Sequence, residues 1–292
     1  IYKMGKILEV RTVQSSVFKI LCEALKDLVR DINLVFTRKE TYTNEDGEEV
    51  TKGGIGAITM AMANNVLMHL KLDAINFDYY ECNRDKFVVG ISTSILFKVM
   101  KTLNNNDTIT FFVEENDCNK LCIKFENAEK NIVSIKKISL MDIDEYEIEI
   151  PPTEFSVVIN MPSNFFNKIC RDLNSLAEVV EITSVNKKLR FSAQGENVSD
   201  EIEIGESDSG VNIYTSGDNT DAIFQGLYDI KYLCVFTKCT NLCTSVELFI
   251  KNDYPLVIRY YVASLGTIYL CLSSKTDPNK LKYDDMSDSD ES

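Results

Sequence analysis

The chain has 292 residues, 45% of them hydrophobic and 26% charged, with 45 acidic against 31 basic residues and a formal net charge of −14. That length and balance fit a globular protein of two domains, each with its own core, and exclude a chain that attracts nucleic acid by bulk positive charge. No apolar run reaches the ~18 residues of a membrane span, and the first six residues hold no signal core, so neither insertion nor secretion is expected and an intracellular protein is.

Alternating apolar residues predict a strand at Ile7–Thr12, followed by a helix over Ser15–Arg30. Val17, Ile20, Leu21, Ala24, Leu25 and Leu28 form its apolar stripe, and Lys19, Lys26 and Arg30 cluster on the other side. The polar run 37–54 reads as a mobile inserted hairpin loop, with Gly53, Gly54 and Gly56 as flexible points. Strands at Ala57–Ala61 and Val66–Asp73 follow, then a helix over Ser92–Leu103 with Lys98 and Lys101 opposite Leu96, Val99, Met100 and Leu103. Thr108–Val113, Leu121–Phe125 and Val133–Ser139 read as strands.

Residues 140–155 are acidic and carry Pro151–Pro152, so they form an extended link rather than a helix. Beyond it come a strand at Phe155–Asn160, a helix over Pro162–Leu176 with Lys168 and Arg171 opposite Phe166, Ile169 and Leu173, and strands at Val179–Ser184 and Leu189–Ser192. A fourth helix is expected over Gln225–Thr237, with Lys231 and Lys238 on one side, before strands at Ser245–Ile250, Leu256–Val262 and Thr267–Leu272. Ser15 or Ser16 and Ser163 are candidate N-caps. Residues 277–292, ending DDMSDSDES, form an acidic tail with too little apolar surface to fold.

The pattern is α+β, and it repeats. SSVFKILCEAL from Ser15 aligns without gaps to SNFFNKICRDL from Ser163, each after a strand and a polar turn. The expected organisation is a first domain over 1–139 with 37–54 inserted, the link 140–155, a second domain over 156–276 and the tail 277–292.

Catalytic chemistry finds no foothold. His69 is the sole histidine and lies in a strand-like run; the nine cysteines have no zinc-site register, and no phosphate-cradling glycine loop precedes a helix. No enzyme, metal or cofactor is expected. Instead, all four predicted helices carry basic residues away from their apolar stripes, without base-reading groups or interleaved aromatics. Such faces suit sequence-independent, salt-sensitive contact with the phosphates of duplex DNA.

Several long stretches carry a resemblance. VQSSVFKILCEALKDL (13–28), LMDIDEYEIEIP (140–151), MPSNFFNKICRDL (161–173), FSAQGE (191–196), VFTKCTNLCTSVEL (235–248) and NDYPLVIRYYVASLGTIYLCLSSK (252–275) closely resemble the proliferating cell nuclear antigen family, the eukaryotic-type DNA sliding clamps. The resemblance implies two similar clamp domains, outer antiparallel sheets with two inner helices each, and three chains closed head to tail into a pseudo-six-fold ring around double-stranded DNA. It implies a processivity factor that recruits DNA polymerase, clamp loader and other replication and repair proteins through short peptide motifs, in the nucleus or at a viral replication site.

Carried over by position, the DNA-facing residues are Lys19, Lys26, Lys98, Lys101, Lys168, Arg171, Lys231 and Lys238. The partner-peptide groove maps to Met62, Val66, Leu67, His69, Ile148, Ile150, Pro151, Pro255, Cys271 and Leu272. The subunit-edge strands map to 132–140, with Lys136 and Lys137, and to 198–204, with Asp200, Glu201 and Glu203. The chain departs from the family at His69 and Cys271, at Ser273–Ser274, and at Asn186, which aligns with the family's ubiquitin-attachment lysine. Two other readings remain at this point: one subunit of a hetero-oligomeric or checkpoint-type clamp, and a protein-binding scaffold that does not encircle DNA.

Overall fold

The structure, a computed structural model, describes residues 5–44, 47–61, 65–145, 148, 150–206, 210–216 and 223–275. The chain forms two compact units. The first takes residues 1–150 with 241–243 and 260–269; the second takes 151–240, 244–259 and 270–292. The tail 277–292 lies outside the described residues.

The first unit runs β1 (Lys6–Thr12), α1 (Ser15–Leu28), β2 (Asp31–Thr43), β3 (Glu49–Ala61), β4 (Val66–Asp73), β5 (Tyr79–Cys82), β6 (Lys86–Ser92), α2 (Thr93–Met100), β7 (Thr108–Glu114), β8 (Lys120–Asn127) and β9 (Ile132–Ser139). One antiparallel sheet has the order β5-β1-β7-β8-β9; the other has β6-β2-β3-β4. Leu25 of α1 and Leu96 of α2 meet Phe36 and Leu70 of one sheet and Phe111 and Leu121 of the other around a small apolar cavity. Both sheets and both helices therefore share one core.

The second half of the chain runs β10 (Val157–Pro162), α3 (Ser163–Asn174), β11 (Val179–Val185), β12 (Lys188–Gln194), β13 (Ser199–Gly205), β14 (Asn212–Thr215), β15 (Phe224–Asp229), α4 (Ile230–Phe236), β16 (Ser245–Ile250), β17 (Leu256–Val262) and β18 (Gly266–Leu272), with residues 260–269 of the last two strands and their turn counted in the first unit. Its strand orders are β14-β10-β16-β17-β18 and β13-β12-β11-β15. Element by element this is the first unit again: β1 corresponds to β10, α1 to α3, β4 to β13, α2 to α4 and β9 to β18, and both sheet orders agree. The repeat read from two helices therefore extends to every strand.

Four expectations change. The segment 37–54 is an extension of β2 and β3 into a hairpin, in which Thr41 pairs with Thr51 and Tyr42 with Val50. Its glycines are not loose: a Cβ on Gly54 (φ 149°) would lie 2.0 Å from the Leu72 carbonyl, so glycine is what lets β3 pass there. Residues 225–229 form a strand, and α4 starts only at Ile230, because Leu227 and Asp229 pair with Glu181 and Val179 of β11. The first helix ends at Leu28, leaving Arg30 beyond it in an ion pair with Asp31 at 3.6 Å. On α1, Phe18 and Cys22 take the buried positions expected of Val17 and Ile20, which are half-buried.

The described start of the link, residues 140–145, runs beside β6 and β2. Met141 N–H donates to the Gly90 carbonyl at 2.8 Å, Asn33 Nδ2 donates to the Ile143 carbonyl at 3.0 Å, and Lys86 pairs with Glu145. Gly90 admits it, since a Cβ there would sit 2.2 Å from the Met141 carbonyl oxygen.

Candidate functional site

The site begins with how each helix pair is held. Ser15 and Ser163 are both buried, and their hydroxyls turn inward rather than capping: Gln14 and Pro162 hold the N-cap positions without side-chain cap bonds. Ser15 Oγ donates to the Asn105 carbonyl at 2.8 Å, and Ser163 Oγ to the Thr240 carbonyl at 3.2 Å. Each unit thus ties the first turn of its first helix to the segment that follows its second.

That tie fixes which sides of the helices face outward. Lys98, Lys101, Lys168, Arg171, Lys231 and Lys238 are exposed, and Lys19 and Lys26 are half-buried. Lys238 stands on the 3-10 turn Thr237–Leu242 rather than on α4 itself. Lys26 pairs with Asp27 at 3.1 Å, and its ammonium lies 4.6 Å from the Phe97 ring centroid, which spans α1 to α2. Among the described residues the other seven cations have no carboxylate within 4.0 Å. Lysines off the helices are mixed: Lys6, Lys86, Lys124, Lys137, Lys188 and Lys275 each hold a carboxylate, whereas the strand lysines Lys39, Lys52 and Lys136 have none within 4.0 Å among the described residues. The helix faces also carry Glu23, Asp27 and Asp172, so they are basic at particular positions rather than uniformly. An unpaired surface ammonium can meet a phosphate without first giving up an ion pair, so these are the groups suited to a polyanion.

Two sheet edges form a second element. β9 ends the five-stranded sheet and exposes Ile132 (55%), Val133 (58%) and Ile135 (53%), three large apolar side chains on one short strand. β13 ends the four-stranded sheet, with Val198 exposed just before it. The charges read at these edges are partly used within the chain. Lys137 pairs with Glu114 at 3.5 Å, Glu201 with Arg190 at 3.6 Å and Glu203 with Lys188 at 2.6 Å, the last holding the Glu203 carboxyl below its ordinary pKa. Lys136 and Asp200 have no oppositely charged partner within 4.0 Å among the described residues.

The groove residues divide between the units. In the first, Met62 lies outside the described residues and Val66 is buried, so Val66 belongs to the core. Leu67 and His69 occupy the other face of β4, half-buried, paired with Met60 and Ile58 of β3. The His69 ring stacks on Tyr269 at 5.9 Å and 26°, and burial, then the Lys71 charge, holds its pKa below the ordinary value. Ile148 is half-buried and Ile150 exposed. In the second unit Pro151 is exposed and Pro255 half-buried. Leu272 is buried, and burial pushes the Cys271 thiol up to about 11. Asn186 and Lys187, both at positive φ, make the two-residue turn between β11 and β12.

The sequence is similar to that of known proteins. The family model for the proliferating cell nuclear antigen N-terminal domain matches residues 7–148, and that for the C-terminal domain matches 149–275. The chain belongs to the proliferating cell nuclear antigen family. Two curated relatives are viral. A "Probable DNA polymerase sliding clamp" of Acanthamoeba polyphaga mimivirus is 32% identical over 92% of this chain and 62% of its own length, so the chain spans less than two thirds of that relative. A "Probable DNA polymerase sliding clamp 1" of Paramecium bursaria Chlorella virus 1 is 30% identical over 90% of this chain and 94% of its own length.

Within that family fold, the structure adds a set of exposed apolar side chains that were not singled out one by one in the sequence. Ile58 (39%) and Met60 (41%) lie exposed beside His69 and Leu67, and Ile132, Val133 and Ile135 line an open edge. Their signal was present: adjacent apolar residues in strands that otherwise alternate leave one pointing out. No helix among the described residues is long and apolar enough to cross a membrane.

Proposed function

We propose that the chain is a DNA sliding clamp, a processivity factor and not an enzyme. Three copies close head to tail into a pseudo-six-fold ring around duplex DNA and recruit DNA polymerase, clamp loader and other replication proteins through short peptides. The observation that carries the reading is the set of unpaired cations on all four helix segments, repeated at corresponding elements of both units. A channel lined this way holds phosphates electrostatically without reading bases, which allows retention together with sliding.

The duplication supports closure. Residues 265–269, which cluster with the first unit, lie along β4: Asp73 N–H donates to the Leu265 carbonyl at 3.0 Å, and His69 stacks on Tyr269. β13 is the counterpart of β4, and β9 the counterpart of β18, to which residues 266–269 belong. A β9 edge from one copy on a β13 edge from the next would repeat that pairing, bury Ile132, Val133 and Ile135, and bring Lys136 and Asp200 to opposite-charge partners. Peptide recruitment would use the apolar face of Ile58, Met60, Leu67 and His69 together with the link residues Ile148, Ile150 and Pro151. The viral origin of both relatives supports a role at a viral replication site.

Light scattering of the purified protein tests the assembly. The expected mass is three times the 33.1 kDa of one chain. A chain with Val133→Asp and Ile135→Asp should run as a folded monomer. A monomeric wild-type chain at micromolar concentration would oppose the ring.

A further inference from the structure

The two halves of the chain agree element by element, and one cleft in the first unit is where their residues part. The loop after α2 and the turn joining β8 to β9 enclose a space of about 400 Å³, lined by Lys19, Asn105, Asn106, Glu129 and Lys130 among others. A neighbouring lobe of about 220 Å³ shares Asn104, Asn127 and Lys130 with it and reaches Asp107 and Lys136. The serine ties give the register between halves, since the Asn105 carbonyl accepts from Ser15 as the Thr240 carbonyl accepts from Ser163. By that register Asn104 and Asp107 correspond to Cys239 and Leu242, both buried, and the turn between β17 and β18 holds Ala263, Ser264 and Leu265. Neither the carboxylate nor the turn lysine is repeated.

The cleft is built in advance. Asp107 is only 5% exposed. One of its carboxylate oxygens accepts from Asn127 Nδ2 at 2.8 Å, and the other accepts from the backbone N–H and the Nδ2 of Asn104, both at 3.0 Å. Burial alone would raise its pKa, but these donors and then the Lys130 charge hold it below the ordinary value. Asn127 Oδ1 in turn accepts from the Lys130 N–H at 2.9 Å. Asp107 therefore ties the loop after α2 to the β8–β9 turn, while Ser15 ties the same loop to α1.

With the carboxylate occupied by its own donors, Lys19, Lys130 and Lys136 have no carboxylate within 4.0 Å among the described residues. Two ammoniums with two side-chain amides on one cleft supply the charge and the N–H donors that a phosphate oxygen takes. In the larger lobe Lys19 and Lys130 stand against Glu129, which leaves one net positive charge. That balance suits a singly charged phosphodiester better than a multiply charged phosphate. We propose that this cleft seats one backbone phosphodiester of DNA between Lys19 and Lys130, a contact the second half of the chain does not repeat. DNA as the source of the phosphate rests on the clamp reading, whereas phosphate recognition does not. Each copy then holds one phosphate at a defined place, beside the diffuse contacts of its exposed helix lysines.

The test uses the full chain and a short duplex. Lys130→Ala should weaken duplex binding roughly threefold to tenfold at low salt and lower the slope of log K against log salt by about one, whereas Lys124→Ala, on β8, should change neither. Asp107→Asn separates a built seat from loose attraction. It removes a negative charge, so loose attraction predicts tighter binding; losing the tie between Asn104 and Asn127 predicts weaker binding. Urea midpoints show whether that variant is folded, and if it is not, Lys130→Ala decides alone. Tighter binding by folded Asp107→Asn, or unchanged duplex affinity in Lys130→Ala, overturns the DNA seat. A deoxynucleoside monophosphate titrated by calorimetry is the second arm. If Lys130→Ala loses monophosphate binding while keeping duplex affinity, the cleft serves free phosphate esters instead. If the wild-type chain binds no duplex, the clamp reading fails, and the monophosphate arm decides whether the cleft takes phosphate at all.

Discussion

Ser15 and Ser163 hold the same position in the two repeats and do the same work, each giving its hydroxyl proton to a backbone carbonyl beyond the unit's second helix, Asn105 and Thr240 respectively. Neither serine is the N-cap of its helix, since Gln14 and Pro162 hold those positions. Both side chains are buried, so alanine leaves a carbonyl without its donor in a place water reaches poorly. Ser15→Ala and Ser163→Ala should each lower unfolding free energy by about 1–2 kcal/mol. Urea titration checks this, and an unchanged midpoint in both would show the ties to be incidental.

The link depends on one glycine. Adding a methyl at Gly90 would place carbon 2.2 Å from the Met141 carbonyl oxygen and break the 2.8 Å bond from Met141 N–H. Gly90→Ala should therefore lift residues 140–145 from β6, costing about 1–3 kcal/mol and accelerating amide exchange at Met141. Normal protection there would mean that the strand shifts instead.

His69 makes stability depend on pH. Its pKa is depressed below 6.5 by burial and by Lys71. Between the depressed value and 6.5 the unfolded chain binds more protons than the folded one, so stability is full above pH 6.5 and falls as pH drops through that window. His69→Gln should flatten the fall in urea midpoint between about pH 7 and pH 5.5, above the range where carboxylates titrate. An identical fall in both proteins would place the titrating group elsewhere.

The helix cations predict a salt signature. Substituting Lys19, Lys98, Lys168 and Lys231 by alanine removes exposed or half-buried ammoniums that hold no carboxylate, so folding stability should change by only about 0.5 kcal/mol per site. The slope of log K against log salt for duplex DNA should fall by about one for each lysine that contacts a phosphate. Replacing Lys6 and Lys124, which are paired on strands with Glu9 and Glu126, should leave the slope alone.

Much of the fold was legible because period and punctuation agree. The helices starting at Ser15 and Ser163 combine a 3.6-residue apolar period with a preceding strand, and their likeness gave the duplication. The misreadings share a physical cause. Residues 37–54 look like a loop because a projecting hairpin has no core face, so its strands show no apolar alternation; only the β2–β3 ladder reveals them. Residues 225–229 look helical because GLYDIKYL carries an apolar period across the strand–helix junction, and the register with β11 decides the boundary. The cations of the site were visible since they oppose apolar stripes. The edge strand 132–140 came from the family resemblance and not from the residue pattern, and the exposure of Ile132, Val133 and Ile135 along it is seen only in the structure. Charges at the same edges misled in part: Lys137, Glu201 and Glu203 are engaged within their own sheets.

Encirclement is tested most directly by topology. Protein should be allowed to thread onto a linear duplex biotinylated at both ends, the ends then blocked with streptavidin, and the complex challenged with salt high enough to abolish phosphate contacts. A closed ring stays on the blocked duplex and runs off the unblocked one. Equal loss from both would mean that the chain grips DNA from one side.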